Sequence, residues 1–281
     1  MESLRNAEQI GHKVRTCLKF IRHGERTKTG ELTDYGREVT RSVASPNMVE
    51  GDWHDKTFVI GSNVDPNRNG IGRSLETAAI YGLETDGTAT TPIPEDRLNY
   101  KHMKSLLPYN HTEVYNSFLP SNFETLTDKE KVEAARVAQE GVMKHLLDLH
   151  TPEAESYKRE AAGAFADLVL ECQRKNHELP NGYTQTGIAG THGGTMEFLL
   201  QQALVCKEGG EQKIGFDNFG VIGGIFHPSE SYDVVLETDE SGKDVAIKVI
   251  FDDPKRGVGE LTLDINKLKE LAVFYKEKQQ S

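Results

Sequence analysis

The sequence predicts an α/β fold built on a parallel sheet. Residues 16–21 and 58–60 are short apolar runs typical of buried strands, and each is followed by a segment with helical spacing. A third run of small residues, 187–191, is also followed by a helical pattern. Because a strand, a crossover helix and a second strand normally place the two strands parallel, we expect a parallel sheet with helices packed against it.

The helices are predicted from the residue types at their ends and from the spacing of their apolar residues. After the first strand, Thr33 is placed to cap a helix that runs toward Asn47. Residues 127–130 (Thr-Asp-Lys-Glu) have the form of a capping box, and residues 151–152 (Thr-Pro) resemble an N-cap with a first-turn proline. These two signals predict a pair of helices that pack on the sheet and are exposed to solvent on their other side. The pair lies within a helical insertion at about residues 101–180. The second strand and the third strand are followed by apolar residues at helical spacing, and a final amphipathic helix begins near Leu268.

The C-terminal part predicts a hairpin, in which residues 232–236 and 245–251 flank the turn at 240–243. The hairpin at 231–251 could form a sheet edge suited to dimerisation, or an edge blunted by charge, so the oligomeric state stays open. The chain shows no internal repeat and no clear linker, which favours a single domain over residues 1–281.

Composition excludes several classes of function. The 281 residues carry a formal net charge of −11, which argues against nucleic acid or an anionic membrane as a partner. Residues 1–14 lack the apolar core of a signal peptide, and no run approaches the roughly 20 apolar residues of a membrane span, so we expect a cytoplasmic protein. The cysteines are far apart and are expected to be small buried residues: Cys17, Cys172 and Cys206.

Candidate catalytic residues lie at the ends of the predicted strands and at the start of a helix. Arg22-His23-Gly24 follows the first strand, at the edge where α/β sheets hold their ligands. A neutral imidazole there can attack phosphorus, an adjacent guanidinium can bind phosphate oxygens, and the N–H of a glycine can approach the same oxygens. Arg73 opens the helix after the second strand, where the helix N-terminus already attracts phosphate. His192 follows the third strand and precedes two glycines, so it can stabilise charge on the phosphoryl oxygens.

These segments together resemble the histidine phosphatase superfamily, which includes the cofactor-dependent phosphoglycerate mutases and the histidine acid phosphatases. The matching segments occur in the family's order: residues 20–26, 32–37, 73–78 and 191–194. The resemblance implies a phosphoglycerate mutase-like three-layer α/β/α fold with a mostly parallel central sheet. It also implies a phosphohistidine at His23, with Arg22, Arg73 and His192 completing a phosphate pocket that needs no metal or other cofactor.

The sequence departs from the family pattern around the pocket. Arg26 after Glu25 is similar to the acid phosphatase branch, where that arginine contacts phosphate, so Arg26, Glu25 and Gly193 are assigned to substrate binding. The acid phosphatases, however, place an aspartate where Gly193 stands. The mutase-like branch supplies a glutamate where Tyr100 stands. The general acid therefore stays open among four candidates: Glu25, Glu95, Asp96 and Glu113.

These residues predict a phosphomonoester hydrolase that acts on a small phosphorylated substrate or a phosphoprotein. Two alternatives remain: a phosphoglycerate mutase-like phosphotransferase, and a non-catalytic module that recognises phosphate. The natural substrate does not follow from the sequence. We expect specificity to come from residues 91–125 and 207–230, and His102 and His111 could line the substrate pocket.

Overall fold

The computed structural model describes residues 13–27, 30–44, 56–64, 70–87, 90–105, 109–208, 211–253, 256 and 261–281. In chain order, the strands are Arg15–Arg22 (β1), Lys56–Gly61 (β2), Ile93–Pro94 (β3), Thr184–Thr191 (β4), Leu204–Glu208 (β5), Glu211–Ile214 (β6), Ser231–Glu237 (β7), Ile247–Phe251 (β8) and Leu261–Leu263 (β9). The helices are Asp34–Ala44 (α1), Arg73–Asp86 (α2), His111–Ser117 (α3), Asp128–Asp148 (α4), Pro152–Asn176 (α5), Thr195–Ala203 (α6) and Ile265–Gln280 (α7).

The strands form one mixed sheet in the order β3-β2-β4-β1-β7-β8-β9-β5-β6. Strands β3, β2, β4 and β1 are parallel to one another. From β7 onward every pairing is antiparallel. The α/β fold with helices flanking a central sheet is therefore confirmed, and its parallel part is the half that contains β1, β2 and β4.

Helices cover both faces of the sheet because residues of the central strand β1 alternate between them. Phe20 lies in the larger core with residues of α5, and its ring centroid is 4.9 Å from that of Phe165. Ile21 points to the other face, where it packs with Ala78 and Tyr81 of α2. The result is three layers, with α1 and α2 on one side and α5, α6 and α7 on the other.

The predicted helix starts are confirmed. Thr33 Oγ1 accepts the Gly36 N–H at 2.8 Å before α1, whereas Asn47 lies outside the described residues. Thr127 and Glu130 form the capping box of α4, and Thr151 caps α5 with a proline at its start. Side-chain acceptors at these positions satisfy N–H groups that have no partner within a helix, which explains why the boundaries could be predicted.

The predicted hairpin forms, but the expectation that it could be a sheet edge is wrong. Strand β7 pairs with β1 on one side and with β8 on the other, and β8 also pairs with β9. The outer strands of the sheet are β3 and β6 instead. Hairpin connectivity shows which strands are neighbours, but it does not show whether a third strand returns to cover the free side.

Two further expectations concern burial. All three cysteines are buried and have free thiols, as predicted. Among the described helices, none combines the length and apolar character that crossing a membrane would require.

The packing of α5 against α7 predicts that the substitution Gly163→Ala destabilises the protein. Alanine normally stabilises a helix interior by about 1 kcal/mol over glycine. Here a Cβ would lie 2.4 Å from the Leu271 carbonyl oxygen of α7, so we expect a loss of about 1–3 kcal/mol in the free energy of unfolding, measured with urea.

The matched control for this prediction is Gly82→Ala in α2. The obstacle there is a methyl group of Val59, 2.8 Å from the new Cβ, which can move more easily than a backbone carbonyl. The control should lose less stability. Equal stability of the Gly163→Ala variant and the native protein would contradict this account of the helix contact.

Candidate active site

The carboxyl ends of β1 and β4 lie side by side and bring the two predicted histidines together. Arg22 pairs with Thr191 in the parallel register, and the His23 N–H donates to the Thr191 carbonyl at 2.9 Å. The rings of His23 and His192 are consequently 5.2 Å apart between centroids. With Arg22 and Arg73 they line a cavity of about 460 Å³.

One nitrogen of the His23 ring makes a hydrogen bond, and the other presents a lone pair. Its Nδ1 is 2.8 Å from the carbonyl oxygen of Gly24, a group that can only accept, so Nδ1 carries the proton. Nε2 then presents a lone pair. Burial lowers the pKa of His23 well below its usual value, and the neighbouring His192, Arg73 and Arg22 lower it further. The ring is therefore uncharged at neutral pH.

His192 is also held neutral, by burial first and then by the charges of Arg73 and Arg22, which lower its pKa well below the usual value. Its Nε2 is 2.9 Å from Ser62 Oγ, and its Nδ1 is 3.5 Å from Arg73 Nη2. Because a guanidinium only donates, Nδ1 is the acceptor and Nε2 carries the proton. Ser62, at the end of β2, thus helps to fix the orientation of this ring.

Arg22 is buried beside Gly193. Its Nη1 donates to the Phe226 carbonyl, whereas its Nε is buried and has no hydrogen-bond partner in the described part of the chain. A Cβ at position 193 would lie 2.7 Å from both Nε and Cζ of Arg22. The absence of a side chain at Gly193, where the acid phosphatases have an aspartate, therefore makes room for this guanidinium.

Of the other two predicted substrate-binding residues, Arg26 lines the cavity and Glu25 does not. The Glu25 carboxylate lies 3.4 Å from Thr33 Oγ1, and its backbone carbonyl accepts the Thr33 N–H at 3.0 Å. Glu25 thus connects the loop after β1 to the start of α1, and the geometry gives no support for a direct contact with substrate.

None of the four candidate general acids lines the cavity. Glu95 forms an ion pair with Arg97 at 2.8 Å, which lowers the pKa of the glutamate despite its burial. Asp96 lies 3.3 Å from His102, and Glu113 is exposed on α3. The described lining includes no aspartate or glutamate at all. Tyr100, which stands at the glutamate position of the mutase-like branch, packs edge-on against His192 with ring centroids 4.9 Å apart.

The expectation that the Gly24 N–H approaches phosphate is wrong. That N–H donates to Thr77 Oγ1 at 3.0 Å, and the same hydroxyl donates to the Arg73 carbonyl at 2.9 Å. The lack of a side chain at position 24 allows close packing, because a Cβ would be 3.0 Å from the Gly36 carbonyl oxygen of α1. Thr77 therefore joins the His23 loop to the start of α2.

Glu197 is a functional candidate that the sequence reasoning missed. This fully buried carboxylate accepts the Gly194 N–H at 2.7 Å and the Phe226 N–H at 3.2 Å. Burial raises the pKa of Glu197, and the charge of Arg22 opposes that rise. The available signal was its place at the third position of α6, where a glutamate can bond back to the N-cap residue.

The residues that line the cavity are not all in the segments expected to set specificity. Tyr100, Tyr109 and His111 come from residues 91–125, as expected, whereas no described lining residue comes from 207–230. His102 lies outside the cavity. Helix α4 contributes instead, and its lining residues are Gln139, Val142, Met143 and Leu146. Among the described side chains, no group of three or more His, Cys, Asp or Glu is arranged to hold a metal ion, and metal independence stays a prediction.

Comparison with known proteins gives similarity in structure only. No family model matches the chain, and no curated protein matches it. The structure is similar to phosphoglycerate mutase from Bacillus anthracis str. Sterne, with 14% identity, 93% of this chain and 99% of that chain covered, and a TM-score of 0.40. It is also similar to the phytase from Citrobacter braakii, with 12% identity, coverage of 93% and 96%, and a TM-score of 0.43. The functional assignment rests on the residues and their geometry, and not on these two similarities.

The lowered pKa of His23 predicts how stability depends on pH. Below about pH 6.5, the unfolded chain protonates this imidazole while the folded protein keeps it neutral, so stability falls as pH decreases. In His23→Asn, the amide can still donate to the Gly24 carbonyl but does not titrate. The variant should therefore lose less unfolding free energy between pH 6.5 and 5, by up to about 1.4 kcal/mol per pH unit.

Urea unfolding of both proteins at several pH values in this range measures the difference. Parallel pH profiles for the native protein and His23→Asn would mean that His23 is protonated equally in the folded and unfolded states, contrary to the burial seen here.

Proposed function

We propose that the chain is a phosphomonoester hydrolase that works through a phosphohistidine at His23. One observation carries the proposal: Nδ1 of His23 is bonded to the Gly24 carbonyl, so that Nε2 keeps its lone pair inside a cavity lined by arginines. An uncharged imidazole next to guanidinium groups suits attack on phosphorus, because the arginines bind the phosphate dianion without protonating the nucleophile.

The reaction has two displacements. In the first, Nε2 forms a bond to phosphorus while the bond from phosphorus to the ester oxygen breaks. The ester oxygen keeps that electron pair and takes up one proton to leave as an alcohol. In the second, water attacks phosphorus, the phosphorus–nitrogen bond breaks and its electron pair returns to Nε2. One proton of the water restores the group that protonated the alcohol, the other stays on the inorganic phosphate that leaves, and the imidazole is neutral again.

The cavity's charges suit this transfer. Phosphoryl transfer depends chiefly on positioning and on stabilising charge at the three equatorial oxygens. Arg22, Arg73 and Arg26 line the cavity and supply that positive charge locally in a protein whose net charge is −11. The described lining offers phenol and imidazole groups as proton sources for the leaving oxygen: Tyr100, Tyr109, Tyr157 and His111.

The non-catalytic alternative has one observation in its favour, the lack of a carboxylic acid among the described lining residues. A phosphate-recognition module needs the arginines and no proton donor. It would bind phosphate esters without releasing phosphate. A mutase-like enzyme would in turn need a bisphosphorylated primer for full activity.

The proposal is tested by release of p-nitrophenol from p-nitrophenyl phosphate between pH 4 and 9 in the presence of EDTA. The native protein should turn over, and His23→Ala should lose at least about a thousandfold in kcat, because the nucleophile is removed. The control is His102→Ala, whose side chain is half-exposed beside Asp96 and outside the cavity, and it should keep native activity.

The possible results distinguish a hydrolase that uses His23 from the alternatives. Turnover that survives His23→Ala would place the nucleophile on another residue. Binding of phosphate esters by the folded native protein with no turnover would favour the recognition module. Turnover that appears only after addition of a bisphosphorylated primer would favour the mutase.

A further inference from the structure

Part of the cavity lining is apolar and comes from helices. Val142, Met143 and Leu146 of α4 face it, and all three are almost fully buried. Phe198 of α6 and Tyr157 of α5 continue the same surface. We call these five residues the apolar wall.

Two edge-to-face contacts between rings lie in and beside the apolar wall. Tyr157 and Phe198 are perpendicular, with ring centroids 6.3 Å apart, and Tyr109 packs edge-on to His145 at 5.2 Å. Burial raises the pKa of Tyr109 to about 12 and also raises that of Tyr157, so both phenols are neutral at physiological pH. The apolar wall and Tyr109 therefore offer ring edges and faces, and none of these side chains carries a charge at this pH.

The apolar wall begins immediately beside the phosphate end. A Cβ on Gly194 would lie 3.0 Å from the Met143 sulfur, so this thioether rests directly on the loop that carries His192 and Gly193. A group esterified to a phosphate held by Arg22 would meet the apolar wall within its first atoms.

Polar alcohol groups would fit this surface poorly. A sugar or polyol loses hydrogen bonds to water on entering, and burying unpaired hydroxyls is costly. Apart from the arginines, His23 and His192, the polar side chains of the described lining are Gln139, Thr195, His111 and the tyrosines. A flat apolar ring, by contrast, gains from burial against methionine, leucine and aromatic side chains.

We infer that the substrate is a phosphomonoester whose alcohol part is an aromatic ring or carries one at its first carbon. The inference rests on the proposed function, and it adds the chemical class of the group that leaves. The cavity of about 460 Å³ lies in the size range that encloses small organic ligands. The leaving oxygen of an aryl ester also needs less help from a proton donor, which agrees with the lack of a carboxylic acid in the described lining.

The test compares benzyl phosphate with glycerol 1-phosphate and butyl phosphate. All three release a primary alcohol, so differences in rate report recognition more than leaving-group chemistry. Benzyl phosphate should exceed glycerol 1-phosphate in kcat/KM by about tenfold or more, the effect expected for burying one aromatic ring. Butyl phosphate should lie between them.

Met143→Gln tests the apolar wall itself, because it keeps the length of the side chain and adds an amide. It should reduce the preference for benzyl phosphate over glycerol 1-phosphate by about fivefold or more. Val137→Gln, on the exposed side of α4, should keep the native preference. Thermal unfolding verifies that both variants fold, and if Met143→Gln does not, the preference of the native protein still decides the matter.

The outcomes separate this inference from the proposed function. Equal or better turnover of glycerol 1-phosphate would overturn the inference and leave the hydrolase intact. If no ester is hydrolysed, the proposed function fails. The inference is then decided by calorimetric binding of benzylphosphonate against methylphosphonate, where at least about tenfold tighter binding of the aromatic compound supports it and equal affinity overturns it.

Discussion

Buried positive charge at the carboxyl ends of β1 and β4 is the constraint on which the rest of this site depends. Arg22 and Arg73 are each less than 10% exposed, and a charge removed from water is costly unless it is compensated. The Phe226 carbonyl and the buried Glu197 carboxylate compensate Arg22 from inside the protein. Burial, and then the charges of Arg73 and Arg22, lower the pKa values of the two histidines, so that both rings are uncharged. The buried arginines therefore help to keep the two imidazoles uncharged.

Loops that come from distant parts of the chain hold this arrangement in place. The Thr77 hydroxyl bridges the Gly24 N–H and the Arg73 carbonyl, and Glu197 joins Gly194 to Phe226. These contacts are made by side chains that do not line the cavity. They need close backbone approach, which is why a Cβ at position 190 would fall 1.9 Å from the Ser74 carbonyl oxygen. The precision of the cavity therefore depends on packing between α2, α6 and the strand ends.

Sequence reasoning could predict the cluster because all four chemical residues follow or precede elements with clear local patterns. His23 and His192 come directly after apolar strands, and Arg73 begins a helix, so a parallel sheet brings them to one edge. The sequence could not show that Glu25 lies outside the cavity or that the Gly24 N–H is already bonded, because both depend on how α1 and α2 pack. The apolar wall was missed for a similar reason. The capping box at residues 127–130 predicted a helix packed on the sheet, but it did not indicate that α4 meets the phosphate site.

The central claim, that His23 is the residue that takes the phosphoryl group, is tested most directly by trapping the intermediate. A single turnover of p-nitrophenyl phosphate would be quenched in alkali, where phosphohistidine survives, and the phosphorylated peptide would be identified by mass spectrometry. We expect one phosphate on His23, attached through Nε2, and none in His23→Asn. Phosphate on His192 or on a serine, threonine or carboxylate side chain would contradict it.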